Sequence, residues 1–439
     1  MNDLIFGQKK KMMKMNSRIG LLIAAMVLTL GSFAASIETD RTWYLAGEAM
    51  RVSITDDDAL IAYAELCDTR SMAAGVVVSL KEGKGSGIIE LPSNLHSGYY
   101  VLSVYTRHSS KVSQQLVAIV NPLHKSTDDD IEWVLTTHPD SLSYPATDIS
   151  PSSLNLPPST IPVDMRETEG HIIKARVKNI YDGQTFKGSQ IRPSLSIVGK
   201  QIHYFEGKMI NDSIAVFYTF DIHGKQPLVL SAASATGLSL PIEMISPFIA
   251  LLPKQLPHLV FHYNRSEVEA RSLDMQRHQI AIAPAKRELQ LGDYADETAE
   301  EGVPLDYDDS LFGTKPEPTY NLDEYRQFLT IREVLIEYVN CVRKTKINGV
   351  TQMIVRKESD SYDSSWPAMV LIDGMPVIDI ERLLDYDARR IHYINIYGGQ
   401  YTFGNGVYNG ILSFVTRSGR LTNYPIEPNM RYLVYEFPE

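Results

Sequence analysis

The stretch "MVLIDGMPVIDIERL" spans Met369–Leu383, and "YGGQYTFGNGVYNGILSFVTRSG" spans Tyr397–Gly419. Val370-Leu371-Ile372 is an apolar run that halts at Asp373-Gly374, a dipeptide suited to a two-residue turn between strands. Gly404, Gly406 and Gly410 place tight turns around a further strand pair that ends in Ile411-Leu412-Ser413-Phe414-Val415. Working outward, Met353-Ile354-Val355 and Ile394-Asn395-Ile396-Tyr397 read as two more strands. Thr330 followed by Glu333 is a capping box, and Leu335 and Val339 extend an apolar stripe that begins at Leu322, Tyr325 and Phe328. Helix and strand therefore mix in a small α+β domain over residues 320–419, with Val370, Leu371 and Ile372 in its core.

Upstream the patterning is β. Ile61–Leu66, Gly75–Leu80 and Tyr99–Tyr105 are short runs of strand formers set about ten residues apart, so residues 35–122 read as a sandwich. Gly83, Gly85 and Gly87 read as a turn. Residues 123–165 hold Pro139, Pro145, Pro151, Pro157, Pro158 and Pro162 among many Ser and Thr, the composition of a linker or an extended surface strap. Over residues 166–283 Ile173, Ala175 and Val177 alternate with Lys174, Arg176 and Lys178, and Ser194–Val198, Ser213–Phe220 and Pro227–Ala232 add strands of a second sandwich. Residues 284–319 read as an acidic linker, since Glu288–Asp309 carries nine acidic residues and no Lys or Arg. Residues 420–439 are left as a C-terminal tail.

The chain of 439 residues is 44% hydrophobic, 22% charged and has a net charge of −11. That balance is ordinary for a globular protein and lacks the basic face that nucleic acid requires. Residues 1–34 read as a signal peptide: Lys9, Lys10, Lys11, Lys14 and Arg18, then the apolar run Ile19–Leu30, then Ser32-Phe33-Ala34. The run is shorter than the roughly 20 residues of a membrane span, so the mature protein is not expected to be integral to the membrane. Removing the segment takes away five basic residues and one acidic residue, which brings the charge from −11 to −15. Cys67 and Cys341 lie in different segments and read as separate thiols, with one inter-domain disulfide as the alternative.

Two resemblances follow from particular residues. In "TDRTWYLAGEAMRVSI" (residues 39–54), Thr39-Asp40-Arg41, Tyr44 and Gly47-Glu48 are followed by Ala64-Glu65-Leu66, Leu91-Pro92 and Ser97-Gly98-Tyr99-Tyr100. This order resembles a macroglobulin-like domain of the alpha-macroglobulin kind over residues 37–121, and residues 169–250 are loosely similar to a second one. The family's protease trap uses a Cys-Gly-Glu-Gln thioester. Here Asp68 follows Cys67 and Val342 follows Cys341, so the resemblance implies the domain fold and not the trap. "TIREVLIEYVNCV" (330–342), "VLIDGMPV" (370–377) and "RRIHYINIYGGQYTFGNGVYNGILSFVTRSG" (389–419) together resemble the plug domain of TonB-dependent outer-membrane receptors. Twenty residues follow Gly419, and a membrane barrel needs at least eight strands of about 9–11 residues. The expectation is a plug-like unit without its own barrel, used as a soluble module or inserted into a partner barrel.

The fold class expected is thus multidomain and mainly β: two antiparallel β-sandwiches, macroglobulin- or immunoglobulin-like, before the small plug-like α+β domain. No nucleophile elbow or metalloprotease helix occurs in the sequence. His258 and His262 share a face without a third ligand, Asp306, Asp308 and Asp309 match no calcium loop, and no cofactor is expected. Asp373 reads as a turn residue bonding its own backbone, and Glu48 as closing a turn or pairing on the sandwich edge. Asp373, Gly374, Tyr397, Tyr401, Phe403 and Tyr408 are the candidate interaction and turn residues, the aromatics either packing the hairpin or forming a ligand surface. The reading is a non-enzymatic binding or scaffold protein, periplasmic or associated with the outer membrane, whose partner is an envelope protein. Two alternatives stay open: an accessory subunit of a TonB-dependent transport complex, and a secreted hydrolase with an unrecognised site. N-terminal sequencing of the envelope protein should find cleavage after Ala34, or one residue to either side; a form that starts at Met1 or Met15 overturns the signal-peptide reading.

Overall fold

The computed structural model describes residues 35–138, 141–146, 160–161, 165–198, 202–288, 312–347, 349–356, 366–403, 406–419, 421 and 424–438. The signal segment, Asp306, Asp308 and Asp309, and Gly404 lie outside the described residues. The molecule is mainly β, with several sheets.

In strand Ala49–Thr55, Met50, Val52 and Ile54 point inward and are buried, while Arg51 and Ser53 face solvent, the period-2 pattern of a half-buried strand. It pairs with Ser36–Thr39 and Lys84–Glu90 in a three-stranded antiparallel sheet. The facing sheet runs Trp43–Leu45, Val112–Val120, Gly98–Thr106, Ile61–Cys67, Met72–Ser79; its first pair is parallel and the others antiparallel. The turn foreseen at Gly83, Gly85 and Gly87 is only Glu82-Gly83. Gly85 and Gly87 lie within Lys84–Glu90, where a Cβ on Gly85 would stand 2.2 Å from the Ser79 carbonyl oxygen. They let the two sheets close on each other.

Ile61–Cys67 and Gly98–Thr106 are buried along their whole length, so the outer face of their sheet is covered as well. Residues 123–165, read as a linker or strap, supply part of the cover. Ile131–Leu135 pairs parallel with Leu259–Tyr263, and Tyr144–Pro145 pairs antiparallel with that same strand. Leu259 and Phe261 pack on Trp43, Leu45 and Tyr99, while Ile161, Leu251 and Phe248 pack on Ile61, Tyr63 and Tyr105. The second sandwich therefore does not extend to residue 283. After Ile245 the chain returns to the first sandwich and enters helix α1 (Arg265–Glu288). Asn264 caps this helix by accepting from the Ser266 and Glu267 amides. Arg271 holds the helix down: its guanidinium bonds both Glu48 oxygens (3.0 and 2.6 Å) and lies 3.6 Å from the Trp43 ring centroid.

The second sandwich sets Lys208–Met209, Ile214–Thr219, His171–Val177 and Ile242–Ile245 against His203–Glu206, Ile191–Ile197, Gly224–Ser234 and Arg431–Phe437. The last strand lies in the residues expected to form a tail. Tyr435 and Phe437 are buried in this core, and the alternation Leu433, Tyr435, Phe437 suits an edge strand with one dry face.

Residues 319–416 form a mixed sheet ordered Thr319–Asn321, Ile391–Phe403, Gly406–Thr416, Met369–Ile372, Met375–Pro376. Beside it stand the hairpin Val342–Ile347/Val350–Val355 and two short helices, α2 (Ile331–Glu337) and α3 (Ile380–Leu384). The Thr330/Glu333 capping box forms as read. Val370, Ile372, Leu412 and Phe414 pack on the helices in a core that also takes in Val198, Val229 and Met430 from the second sandwich. The α+β unit thus shares its core with its neighbour. Among the described residues no helix is long and apolar enough to cross a membrane.

The two sandwiches meet at Glu167. Its Oε1 accepts from Tyr63 Oη (2.7 Å), Arg107 (3.2 Å) and the Ile172 amide (2.8 Å), and lies 3.1 Å from His171 Nδ1. His171 Nε2 in turn lies 2.6 Å from Tyr435 Oη. Burial pushes the Glu167 carboxyl up, but His171, Arg107 and Tyr63 outweigh it and hold it below its ordinary 4.5. Folded Glu167 therefore stays ionised at a pH where the unfolded chain takes up a proton. The stability this adds is complete above about pH 4.5 and is lost as the pH falls further. In urea unfolding at neutral pH, Glu167→Gln should cost about 3 kcal/mol. Between about pH 5 and pH 3 the variant should lose less stability than the native chain; equal losses would remove Glu167 from this role.

Candidate binding cleft

Asp373 (φ 46°) and Gly374 (φ 86°) are consecutive left-handed residues and close the tight turn between Met369–Ile372 and Met375–Pro376. The Asp373 side chain departs from the sequence reading. It does not serve its own turn: it is fully buried and accepts from Thr416 N (2.8 Å), Thr416 Oγ1 (2.5 Å) and Leu421 N (2.7 Å). It fastens the turn to the end of the neighbouring parallel strand. A Cβ on Gly374 would stand 2.5 Å from Ile202 Cγ2, so the turn lies flat against the second sandwich.

The aromatics foreseen as hairpin packing or ligand surface divide. Tyr397 is buried, its ring centroid 4.5 Å from that of Phe312. Tyr401 and Phe403 pack on the same cluster with Tyr204, and Phe403 meets Tyr204 edge-on at 5.3 Å. Of the sequence candidates, Tyr408 lines a half-open cleft of about 130 Å³ between the second sandwich and the α+β unit.

Strand alternation builds one wall of the cleft. Ile191, Leu195 and Ile197 face the sandwich core, which turns Arg192 and Ser194 outward; Leu228, Leu230 and Ala232 do the same for Ser231. Ser194 Oγ and Ser231 Oγ are 2.6 Å apart. Tyr204 lies beside Ser194 and Tyr408, and Arg192 lies beside Tyr408. The result is a row of hydroxyls ending at a guanidinium. Enclosure of the Tyr204 hydroxyl, with Tyr408 and Glu206 near it, pushes its pKa well above 10, and burial beside Glu206 raises Tyr408 too. Both hydroxyls stay protonated at neutral pH and act as donors. The opposite wall is largely apolar: Met353 from the hairpin, Met369 and Val370, then Pro376, Val377 and Ile380. Glu381 braces this side. Thr351, Arg332 and Lys344 all donate to its carboxylate and draw its pKa down to about 2. Arg192, Ser194, Tyr204, Ser231 and Met353 were not singled out as site residues from the sequence, because such residues on a strand also describe an ordinary solvent-facing or core-facing position.

Six carboxylates are buried among the described residues: Glu48, Glu65, Asp68, Glu167, Asp373 and Glu427. Each accepts at least one backbone amide. Leu45 donates to Glu48, Ala250 and Leu251 to Glu65, and Arg70 and Ser71 to Asp68. Ile378 and Asp379 donate to Glu427, and the donors to Glu167 and Asp373 are those given above. Glu48 closes its turn and pairs with Arg271, within the role read from sequence. His258 and His262 are not brought together as ligands: one bonds Asp130 and the other stacks on Tyr144. Among the described residues no group of three or more His, Cys, Asp or Glu could hold a metal ion. Cys67 and Cys341 are both free thiols.

No family model matches this sequence, and no curated protein matches it. Solved structures overlap it weakly. Trypsin-activated alpha-2-macroglobulin from Escherichia coli is 12% identical, over 50% of this chain and 16% of that one, with a TM-score of 0.19. The BSP domain of a biofilm-associated protein is 10% identical over 50% of this chain and 30% of its own, at 0.16. The Salmonella enterica SafA pilin in complex with its SafB chaperone is 10% identical over 48% and 97%, also at 0.16. This chain spans less than a third of the alpha-2-macroglobulin and biofilm-protein chains. Overlaps this slight carry no argument about fold or function.

Gly374→Val should unfold or loosen this region, because the substitution meets both a left-handed backbone and the Ile202 side chain. We expect a loss of at least about 2 kcal/mol in urea or thermal unfolding of the full chain; an unchanged midpoint would contradict the placement of the turn.

Proposed function

We propose that this protein is an exported, non-enzymatic binding or scaffold protein of a Gram-negative cell envelope, and that it works through protein contact at the cleft between the second sandwich and the α+β unit. The observation that carries the reading is the use made of the buried carboxylates. All six among the described residues accept backbone amides, so each is engaged in holding its own turn or in tying one chain segment to another. General acid–base chemistry would instead need a carboxyl aimed at open space where a substrate could reach it. The cleft is walled by hydroxyls, aliphatic side chains and the Arg192 guanidinium, a surface suited to holding a ligand and, among the described residues, without a lining carboxylate. The basic N-terminal segment with its apolar run supports export. The macroglobulin-like order of residues 37–121 and the plug-like order of residues 320–419 support a place among envelope proteins.

A photo-crosslinking residue at Val350, on the rim of the cleft, should capture an envelope protein in native cells, whereas the same residue at Lys84 on the first sandwich should not. Equal capture at the two positions would argue against the cleft. Turnover of a peptide or glycan by the purified chain, abolished by a carboxylate substitution, would replace the binding reading with the hydrolase.

A further inference from the structure

The volume and walls of the cleft restrict what it can hold. Apolar protein cavities of about 150 Å³ accept benzene, so a cavity of about 130 Å³ has room for one six-membered ring. The wall formed by Met353, Met369, Val377 and Ile380 is apolar, and thioethers such as Met353 and Met369 make favourable contacts with aromatic ring edges. The facing wall is the hydroxyl row Ser231, Ser194, Tyr204 and Tyr408. Arg192 is the charged group among the described lining residues, and Glu206, which does not line the cleft, lies near Tyr408 and offsets that charge, which weakens the case for an anionic ligand. A sugar ring carries hydroxyls around its whole rim and would bury several against the aliphatic wall without partners, at a cost in desolvation. A ring with a single hydroxyl matches both walls at once.

We infer that the cleft binds one phenolic side chain, a tyrosine presented by a partner polypeptide. The inference rests on the protein-contact reading and adds the chemistry of recognition. The ring fills the space between the methionines, and its hydroxyl joins the row at Ser194 and Ser231, where either serine can act as donor or acceptor.

The test is titration of the full chain with p-cresol, toluene and glucose, read by ligand-observed NMR and by the shift in melting temperature. p-Cresol should bind tightest, toluene about tenfold weaker for want of one hydrogen bond, and glucose not at all. Ser194→Ala should bring p-cresol down to the affinity of toluene while toluene itself is unchanged, which also reports that the cavity is intact. If the variant loses both ligands, the ranking on the unaltered protein decides. No binding of p-cresol, equal binding of p-cresol and toluene, or tighter binding of glucose would each overturn the inference. A partner captured at Val350 without any preference for p-cresol would sink this inference alone; p-cresol binding with no captured partner would sink the protein-contact reading instead.

Discussion

Glu167 Oε1 is the point on which the arrangement of the two sandwiches depends. Tyr63 and Arg107 reach it from the first sandwich, the Ile172 amide reaches it from the second, and His171 links it to Tyr435 on the C-terminal strand. A carboxylate taken out of water costs several kcal/mol unless its lone pairs are met. The donors to Oε1 converge only if both sandwiches, the connecting segment and the last strand are all in place, while Oε2 is buried without a hydrogen-bond partner among the described residues. Arg107 adds direction, since it also donates to the Ile172 carbonyl and lies 4.8 Å from the Tyr63 ring centroid. The junction is therefore specified by hydrogen-bond geometry as well as by apolar area.

The same device recurs wherever the chain leaves one unit to cover another. Glu65, fully buried, receives the Ala250 and Leu251 amides and pins the returning segment onto the aromatic outer face of the first sandwich. Glu48 takes Arg271 and seats helix α1 beside Trp43. Asp373 and Glu427 close the α+β unit around the parallel strand pair and α3. The cleft is a consequence of this fastening. It is the gap left where the hydroxyl face of one sheet meets the edge of another and both are held at fixed separation.

Much of the local structure was legible in the sequence, for physical reasons that act over a few residues. Asp373-Gly374 admits a left-handed turn, Thr330 and Glu333 cap a helix through a bond three residues long, and Ile173, Ala175 and Val177 alternate because a strand has period two. Tyr408 was singled out as an aromatic, but its place on the cleft depends on which sheets meet. The packing of Tyr397, Tyr401 and Phe403 was equally open to a hairpin reading.

What only the tertiary structure decided were pairings between distant segments. Residues 123–165 looked like a linker because they are rich in Pro, Ser and Thr; the strands Ile131–Leu135 and Tyr144–Pro145 within them find their partner in Leu259–Tyr263, more than a hundred residues away. The last residues looked like a tail because their sheet neighbour, Gly224–Ser234, is about two hundred residues upstream. Asp373 was assigned to its own turn because its true donors, Thr416 and Leu421, come from another strand end. The sequence by itself determined turns, caps and strand faces, which depend on local backbone geometry. The fold decided which faces meet, and with that the cleft, because burial and the pairing of buried charge are satisfied only by the whole chain at once.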